Sequence, residues 1–430
     1  MKNKKTLEYL KKLRSLGSNY GLERTERLLE LLGNPQKKLK LIHIAGTNGK
    51  GSTSSIIGEI LISNGYKIGF YNSPYLENME ETIRINHDNI KEEELSNLIN
   101  EVKPMVNKVI EEGYSHPTEF EVLTCLMYLY LYRKDVDFGI IEVGLGGRLD
   151  STNVITPIIS IITSISFDHM NLLGNTIGEI TTEKAGIIKK GIPVVSSIQQ
   201  EECKKVLLEK AIQEKTKIDF VKEEDYEFIE IIKENKLFQK VEIKTTKNYI
   251  LDLPLLGDHQ QINLTLGIKT IEKLIKDNYI DINEEKLYVG VKNIIWKGRM
   301  EILEEKPDFL IDGAHNVEAI KYLKRNLEKY FEYKDLYLII GILKDKKAEE
   351  MVEIIAPLAK EVYTVTPDNI RATEAKDLLE IVKKYNNNVK YFNDYNEAIL
   401  EARNNSEKED IILAAGSLYM IGKLRKLIIK

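Results

Sequence analysis

Only two cysteines, Cys125 and Cys203, occur in 430 residues. Two scattered thiols make no disulfide framework and fit a reducing compartment. No apolar run is long enough to span a bilayer, and Met1 to Lys12 is charged without an apolar core, so neither a membrane segment nor a signal peptide is expected. Repeats and low-complexity tracts are missing as well. Positive charge is not in excess: the net charge is -5, and the lysines are matched by acids along the same helices, as between Lys205 and Glu214. Neutralising nucleic-acid phosphates takes clustered Lys and Arg, so no nucleic-acid partner is expected. What remains is 43% hydrophobic and 30% charged residues, the mix of an ordinary globular chain. The expectation is a soluble, cytoplasmic monomer with small-molecule partners.

A single hydrophobic core rarely grows to this size, so two domains are expected. Apolar strands alternate with amphipathic helices, the pattern of parallel α/β sheets. Strands are read at Leu39–Ala45, Lys67–Tyr71, Phe138–Val143, Ile158–Thr163 and Pro193–Ser197, with helices such as Ser52–Asn64 and Thr118–Tyr132 between them. From Tyr226 to Leu256 apolar residues alternate with polar ones, as in a small antiparallel appendage. A second alternating series follows Trp296, with strands at Asp308–Ile311, Leu336–Ile340, Glu361–Val365 and Asp410–Ala414. The expected fold is therefore α/β: a P-loop-type parallel-sheet ATPase domain (residues 1–296, with the appendage) and a smaller Rossmann-like C-terminal domain (297–430). Residues with chemical potential fall just after strands in both halves, where open α/β sheets bind ligands. That placement suggests an active site in the cleft between the two domains.

The strand Leu41 to Ala45 runs into Gly46-Thr47-Asn48-Gly49-Lys50-Gly51-Ser52, which opens a helix. Glycines let successive N–H groups face an anion, and the helix N-terminus adds a favourable dipole. Lys50 would lie along the terminal phosphates of a nucleotide, and the hydroxyl of Ser52 or Thr53 would reach Mg²⁺. The pattern departs from the strict phosphate-loop motif, because Gly51 separates Lys50 from Ser52 and position 44 is not glycine. An ordinary tight βα turn would need one glycine, not three and a lysine.

Glu142 ends a continuous apolar strand and is followed by Gly144-Leu145-Gly146-Gly147-Arg148-Leu149-Asp150. It could hold a divalent cation beside the phosphates, cap the next helix, or pair with Arg148. Asp168-His169 follows another strand; magnesium prefers oxygen ligands, so a histidine there is more ordinarily a hydrogen-bonding neighbour than a ligand. Lys184, in Glu183-Lys184-Ala185-Gly186-Ile187, is either solvated or, if partly buried, a lysine of lowered pKa. His116 begins a helical segment, where it could serve capping or line a substrate pocket, while His43 and His87 read as core or surface residues. In the second series Arg299 stands at the joint, Asp312-Gly313-Ala314-His315-Asn316 follows a strand with Asn316 a natural helix cap, and Gly416-Ser417 is placed likewise. Asp258 to Asn263 precedes an amphipathic helix, and its amides could read an adenine edge.

Together Gly46–Ser52, Glu142–Asp150 and Asp312–Asn316 resemble folylpolyglutamate synthase, an enzyme family of the Mur ligase superfamily that in many bacteria doubles as dihydrofolate synthase. The resemblance extends over nearly the whole chain, taking in Ser73-Pro74, Glu183–Ile187, His259-Gln260, Gly341–Lys346 and Gly416-Ser417; Gln199–Asn248 carries none of it. Tyr75 departs from the histidine that several relatives have after Ser-Pro. The resemblance implies a Mur-ligase-type central domain and a C-terminal glutamate-ligase domain. It implies that Gly46, Thr47, Asn48, Gly49, Lys50, Gly51 and Ser52 serve ATP, with Asn263, Arg299 and Asp312 also contacting the nucleotide. Ser52 and Ser73, Glu142 and His169 would serve Mg²⁺, Lys184 would be carbamylated near a second metal, and His315 and Ser417 would lie near the incoming L-glutamate. Lys50, Lys184 and His315 are the catalytic candidates. The implied reaction joins L-glutamate to the carboxylate of a folate or dihydropteroate through an acyl phosphate. Two other readings share parts of this pattern: a Mur-type cell-wall ligase, which should carry an additional N-terminal nucleotide-sugar domain, and a non-catalytic ATP-driven switch, against which stand His315, Ser417 and Arg299.

Overall fold

Runs such as Ile159–Ile162 and Leu336–Ile340 are mainly aliphatic, interrupted by Ser160 and Tyr337, and buried at every position. A strand apolar on both faces belongs inside a parallel sheet covered on both sides, and that is where these lie. The structure, a computed structural model, describes residues 9, 10, 13, 21–234 and 236–429. They form an eight-stranded sheet, a three-stranded sheet and a six-stranded sheet.

The first sheet comprises β1 (Leu41–Ala45), β2 (Ile68–Tyr71), β3 (Ile83–Ile85), β4 (Asp88–Asn89), β5 (Phe138–Glu142), β6 (Ile159–Ile162), β7 (Val194–Ser196) and β8 (Ile218–Phe220). Its order is β4-β3-β2-β5-β1-β6-β7-β8. β2, β5, β1, β6, β7 and β8 run parallel, and the β3–β4 hairpin adds antiparallel strands at one edge. β1 is thus flanked on both sides, with Ile44 opposite Glu142 of β5 and Ala45 opposite Ile162 of β6. The register brings three loops to the carboxyl ends of three neighbouring strands. The appendage is a three-stranded sheet of β9 (Tyr226–Lys233), β10 (Leu237–Lys244) and β11 (Asn248–Leu253), in the order β11-β10-β9.

The third sheet contains β12 (Glu301–Glu304), β13 (Asp308–Ile311), β14 (Leu336–Ile340), β15 (Glu361–Val365), β16 (Val389–Phe392) and β17 (Ile411–Ala415), ordered β12-β13-β17-β14-β15-β16. All of it is parallel except the edge pair β12–β13. The described residues divide into two compact units. The first takes the chain up to Glu227 with Glu242–Leu251 and Ile262–Asn293; the second takes Phe228–Val241, Asp252–Gln261 and the chain from Ile294. Each unit has its own aliphatic core, around Val102, Leu126 and Leu131 in the first and around Leu310, Leu338 and Val352 in the second. Each such side chain fully buried contributes about 1.5–3 kcal/mol.

The expected strands are all present, with ends shifted by at most two residues. Asp258–Asn263 differs from its reading: these residues form the first turns of the helix Asp258–Lys276 rather than preceding it. Gly257, with φ +117°, makes the turn immediately before. Among the described residues no helix is long and apolar enough to cross a membrane.

Candidate active site

The turn after β1 is stitched to the segment after β6. Thr47 N donates to Ser164 O at 2.8 Å, Thr47 Oγ1 donates to Ser166 O at 3.1 Å, and Ser166 N donates back to Thr47 Oγ1 at 3.1 Å. Two glycines are required by this path. Gly46 has φ +150°, and a Cβ there would lie 1.8 Å from Thr163 Oγ1; Gly49 has φ +93°, and its Cβ would lie 2.5 Å from Asn263 Oδ1. Gly49 is the N-cap of the helix Lys50–Ser63, in which Ser52 and Thr53 are buried. The Thr53 Oγ1 has no hydrogen-bond partner among the described residues.

Two lysines converge on this turn. Lys50 folds back, with Nζ 3.3 Å from both Gly46 O and Thr47 O and 3.8 Å from Glu142 Oε1. Lys184, in the helix Ile177–Ala185, is only 4% exposed and donates from Nζ to Gly46 O at 2.9 Å. Burial, then repulsion from Lys50, lower its pKa to about 7, with Asp168 and Asp150 opposing. A buried amine that is half neutral at pH 7 is no solvated surface lysine.

Glu142 is buried and receives Asn72 Nδ2 on Oε2 at 2.9 Å. It does not pair with Arg148, which binds Glu183 at 2.8 Å instead. The glycine-rich turn behind it is held by Asp150, whose carboxylate accepts from Leu145 N at 2.8 Å and from Thr152 N at 3.0 Å. Ser73 lies half-buried directly after Asn72. His169 has φ 50° and precedes the short helix Met170–Leu173; its backbone N donates to Asp168 Oδ1 at 2.9 Å. Among the described residues no three His, Cys, Asp or Glu side chains cluster as a metal cage. One buried carboxylate beside the Lys50 ammonium at the phosphate-type turn nevertheless suits Mg²⁺, which keeps several waters and takes the rest of its shell from substrate phosphates. Asn72 and Asp150 were not singled out as site residues from the sequence.

His43 is a core residue of β1: its Nε2 lies 2.9 Å from Thr152 Oγ1, and burial lowers its pKa to about 3. His116 Nδ1 bonds Pro117 O at 2.8 Å, while Thr118 and Glu121 form the capping box of the helix Glu119–Arg133. His87 is exposed, with Nδ1 3.4 Å from Glu59 Oε1.

In the second unit, the loops after β13 and β17 meet, with Gly416 N donating to Ala314 O at 2.9 Å. Asp312 is buried, and its two oxygens accept from Met300 N at 2.9 Å and Ala314 N at 2.8 Å. Burial raises its pKa and the neighbouring Arg299 opposes that rise. His315 Nδ1 lies 2.7 Å from Gly313 O, and since a carbonyl only accepts, Nδ1 carries the proton. Asn316 caps the helix Val317–Tyr330 through Ala319 N at 2.9 Å. Ser417 is 1% exposed, and its Oγ has no partner among the described residues. A buried hydroxyl left unpaired lacks a structural reason to be polar. His259 rests against Tyr322 with ring centroids 5.1 Å apart, and burial followed by Arg299 lowers its pKa to about 4.

Comparison with known proteins matches these two halves separately. Residues 44–271 match the Mur ligase middle domain, and residues 298–418 match the Mur ligase glutamate ligase domain. The chain is similar to the dihydrofolate synthase/folylpolyglutamate synthase of Bacillus subtilis, 38% identical over 415 residues that cover 95% of each chain. It is similar in structure to the folylpolyglutamate synthase of Mycobacterium tuberculosis complexed with ADP, with TM-score 0.90 and 25% identity over 100% of this chain and 99% of that one. It is also similar to the Thermotoga maritima folylpolyglutamate synthase, with TM-score 0.86 and 33% identity over 100% of this chain and 98% of that one. The chain belongs to the folylpolyglutamate synthase/dihydrofolate synthase family of the Mur ligase superfamily.

Proposed function

We propose that this protein is an ATP-dependent ligase that adds L-glutamate to a folate carboxylate and also makes dihydrofolate from dihydropteroate. The observation that carries the reading is the convergence of Lys50, Glu142 and Lys184 on the Gly46–Gly49 turn. Neither a cell-wall ligase nor an ATP-driven switch is favoured by the family.

The chemistry follows from charge. A substrate carboxylate attacks the γ-phosphorus of ATP, ADP leaves, and an acyl phosphate forms. The amino group of glutamate then attacks the acyl carbon, and phosphate departs from the tetrahedral intermediate. Phosphoryl transfer asks the protein mainly for positioning and neutralisation. The N–H groups of Gly46–Ser52 and the Lys50 ammonium supply both, with Asn263, Arg299 and Asp312 as further nucleotide contacts. Ser52, Ser73, Glu142 and His169 would hold Mg²⁺, which when bound neutralises the phosphate oxygens. His315 and Ser417 would receive the incoming glutamate; the unpaired Ser417 Oγ supports that role.

Lys184 is proposed to act as a carbamate. Its neutral amine adds to CO₂ and releases one proton, turning a cation into an oxygen donor suited to a second magnesium. The burial that lowers its pKa to about 7 supports this, because only the neutral amine reacts. A reducing, cytoplasmic location belongs to the same proposal, supported by the free and buried Cys125 and Cys203.

The test is ADP release from purified protein given ATP and Mg²⁺, with acceptor and L-glutamate omitted in turn. Release should require both, with either dihydropteroate or a tetrahydrofolate as acceptor. Release independent of glutamate would overturn the ligase reading, and activity confined to tetrahydrofolates would remove the dihydrofolate synthase activity.

A further inference from the structure

Asn72 stands immediately after β2 and is buried. Its amide touches three elements. Nδ2 donates to Glu142 Oε2 at the end of β5 at 2.9 Å and to Ser54 Oγ of the helix Lys50–Ser63 at 3.2 Å. Oδ1 accepts from Arg84 Nη2 of β3 at 3.5 Å. The orientation of the amide is fixed by charge, since turning it over would set its oxygen against a carboxylate and its NH₂ against a guanidinium. Arg84 is itself fixed. It lies opposite Phe70 in the β2–β3 register, its guanidinium sits 4.4 Å from the centre of that ring, and Glu59 and Glu81 are its charged neighbours.

Glu142 therefore has two unlike oxygens. Oε2 is taken by Asn72, and Oε1 faces Lys50 Nζ at 3.8 Å on the side of the phosphate turn. We infer that Asn72, anchored by Arg84, is a positioning residue that presents Glu142 Oε1 to the divalent cation of the bound nucleotide. This rests on the reading of Glu142 as a magnesium carboxylate. Groups that orient a ligating carboxylate commonly change metal affinity 10- to 100-fold when removed. A polar residue that merely filled space would not act through Glu142.

The experiment measures ADP binding by calorimetry across a magnesium titration and again in EDTA, for the parent, Asn72→Ala, Glu142→Gln and the double variant. Asn72→Ser, closer to the parent in polarity, serves if the alanine variant does not fold. Removing Asn72 should raise the magnesium needed for half-maximal ADP binding by roughly tenfold, leave ADP affinity in EDTA unchanged, and have no further effect once Glu142 is Gln. Non-additivity of that kind is the mark of two residues acting through one contact. An equal loss with and without magnesium, or additive effects of the two substitutions, would overturn the inference. If Glu142→Gln shifts the magnesium requirement and Asn72→Ala does not, Asn72 has no such role while the metal reading stands. If Glu142→Gln shifts nothing, the metal reading of Glu142 fails and this inference falls with it.

Discussion

Replacing Lys184 by methionine should make the protein more stable at neutral pH and inactive. The folded pKa of about 7 lies below the ordinary 10.5, chiefly through burial. That lowering corresponds to about 5 kcal/mol of unfavourable folding free energy. At pH 7 half of the folded molecules already hold the neutral amine, so about 4 kcal/mol of that cost applies there. Between pH 7 and 10.5 the unfolded chain binds a proton that the folded chain does not. Stability therefore rises with pH through this window, and the cost is complete below it. Methionine removes the charge and keeps much of the volume, and the lost hydrogen bond to Gly46 O subtracts about 1 kcal/mol. Gly46 O keeps Lys50 Nζ as a donor at 3.3 Å. The expected net gain is about 3 kcal/mol at pH 7, vanishing near pH 10. Urea unfolding of metal-free parent and variant in CO₂-free buffer at both pH values measures it. A variant less stable than the parent at pH 7, or a gap that does not narrow as pH rises, would refute the reasoning.

Gly46→Ala should weaken nucleotide binding and cost roughly 2–4 kcal/mol, since its Cβ would meet Thr163 Oγ1; adding Thr163→Ala should return part of the loss, and an undiminished melting temperature would argue against the strained turn. Ser417→Ala deletes a buried hydroxyl without a partner among the described residues, so stability should hold or rise by about 1 kcal/mol while KM for glutamate increases. An unchanged KM would free Ser417 from the proposed role. Lys50→Ala should abolish ADP formation without lowering the melting temperature, as this side chain bonds loop carbonyls rather than the core; normal ADP formation would remove the phosphate-loop reading.

The parallel strands were legible because burial on both faces writes them as nearly continuous apolar runs, as at Phe138–Ile141 and Leu336–Ile340. Strands at and beside the sheet edges were not. Ile83–Ile85, Asp88–Asn89 and Val389–Phe392 are short and partly exposed, so their pairing comes from neighbours rather than from pattern. In the site, the glycines and lysine of Gly46–Ser52 were readable because their chemistry follows a strand directly. Asn72 was not, for its meaning lies in a carboxylate 70 residues away and an arginine on another strand. The sequence around Lys184 left it either solvated or buried. Its contact with Gly46 O, 138 residues distant, shows it buried, and no local composition reports that.

The placement of β1 between β5 and β6 also bears on how the site comes into being. Its contacts join residues 70 to 138 positions apart, through Asn72–Glu142, Thr47–Ser166 and Lys184–Gly46. Closing such long loops is entropically slow, and pairings of this separation form late in folding. The contacts that hold the phosphate turn are complete only once Ser164, Ser166 and the helix Ile177–Ala185 have been made and have docked. Nucleotide affinity is then a readout of completion for the first unit. A ligand that binds only the finished sheet stabilises that whole unit by mass action, so its presence should slow exchange of amides in β1, β5 and β6 together, not in the turn alone.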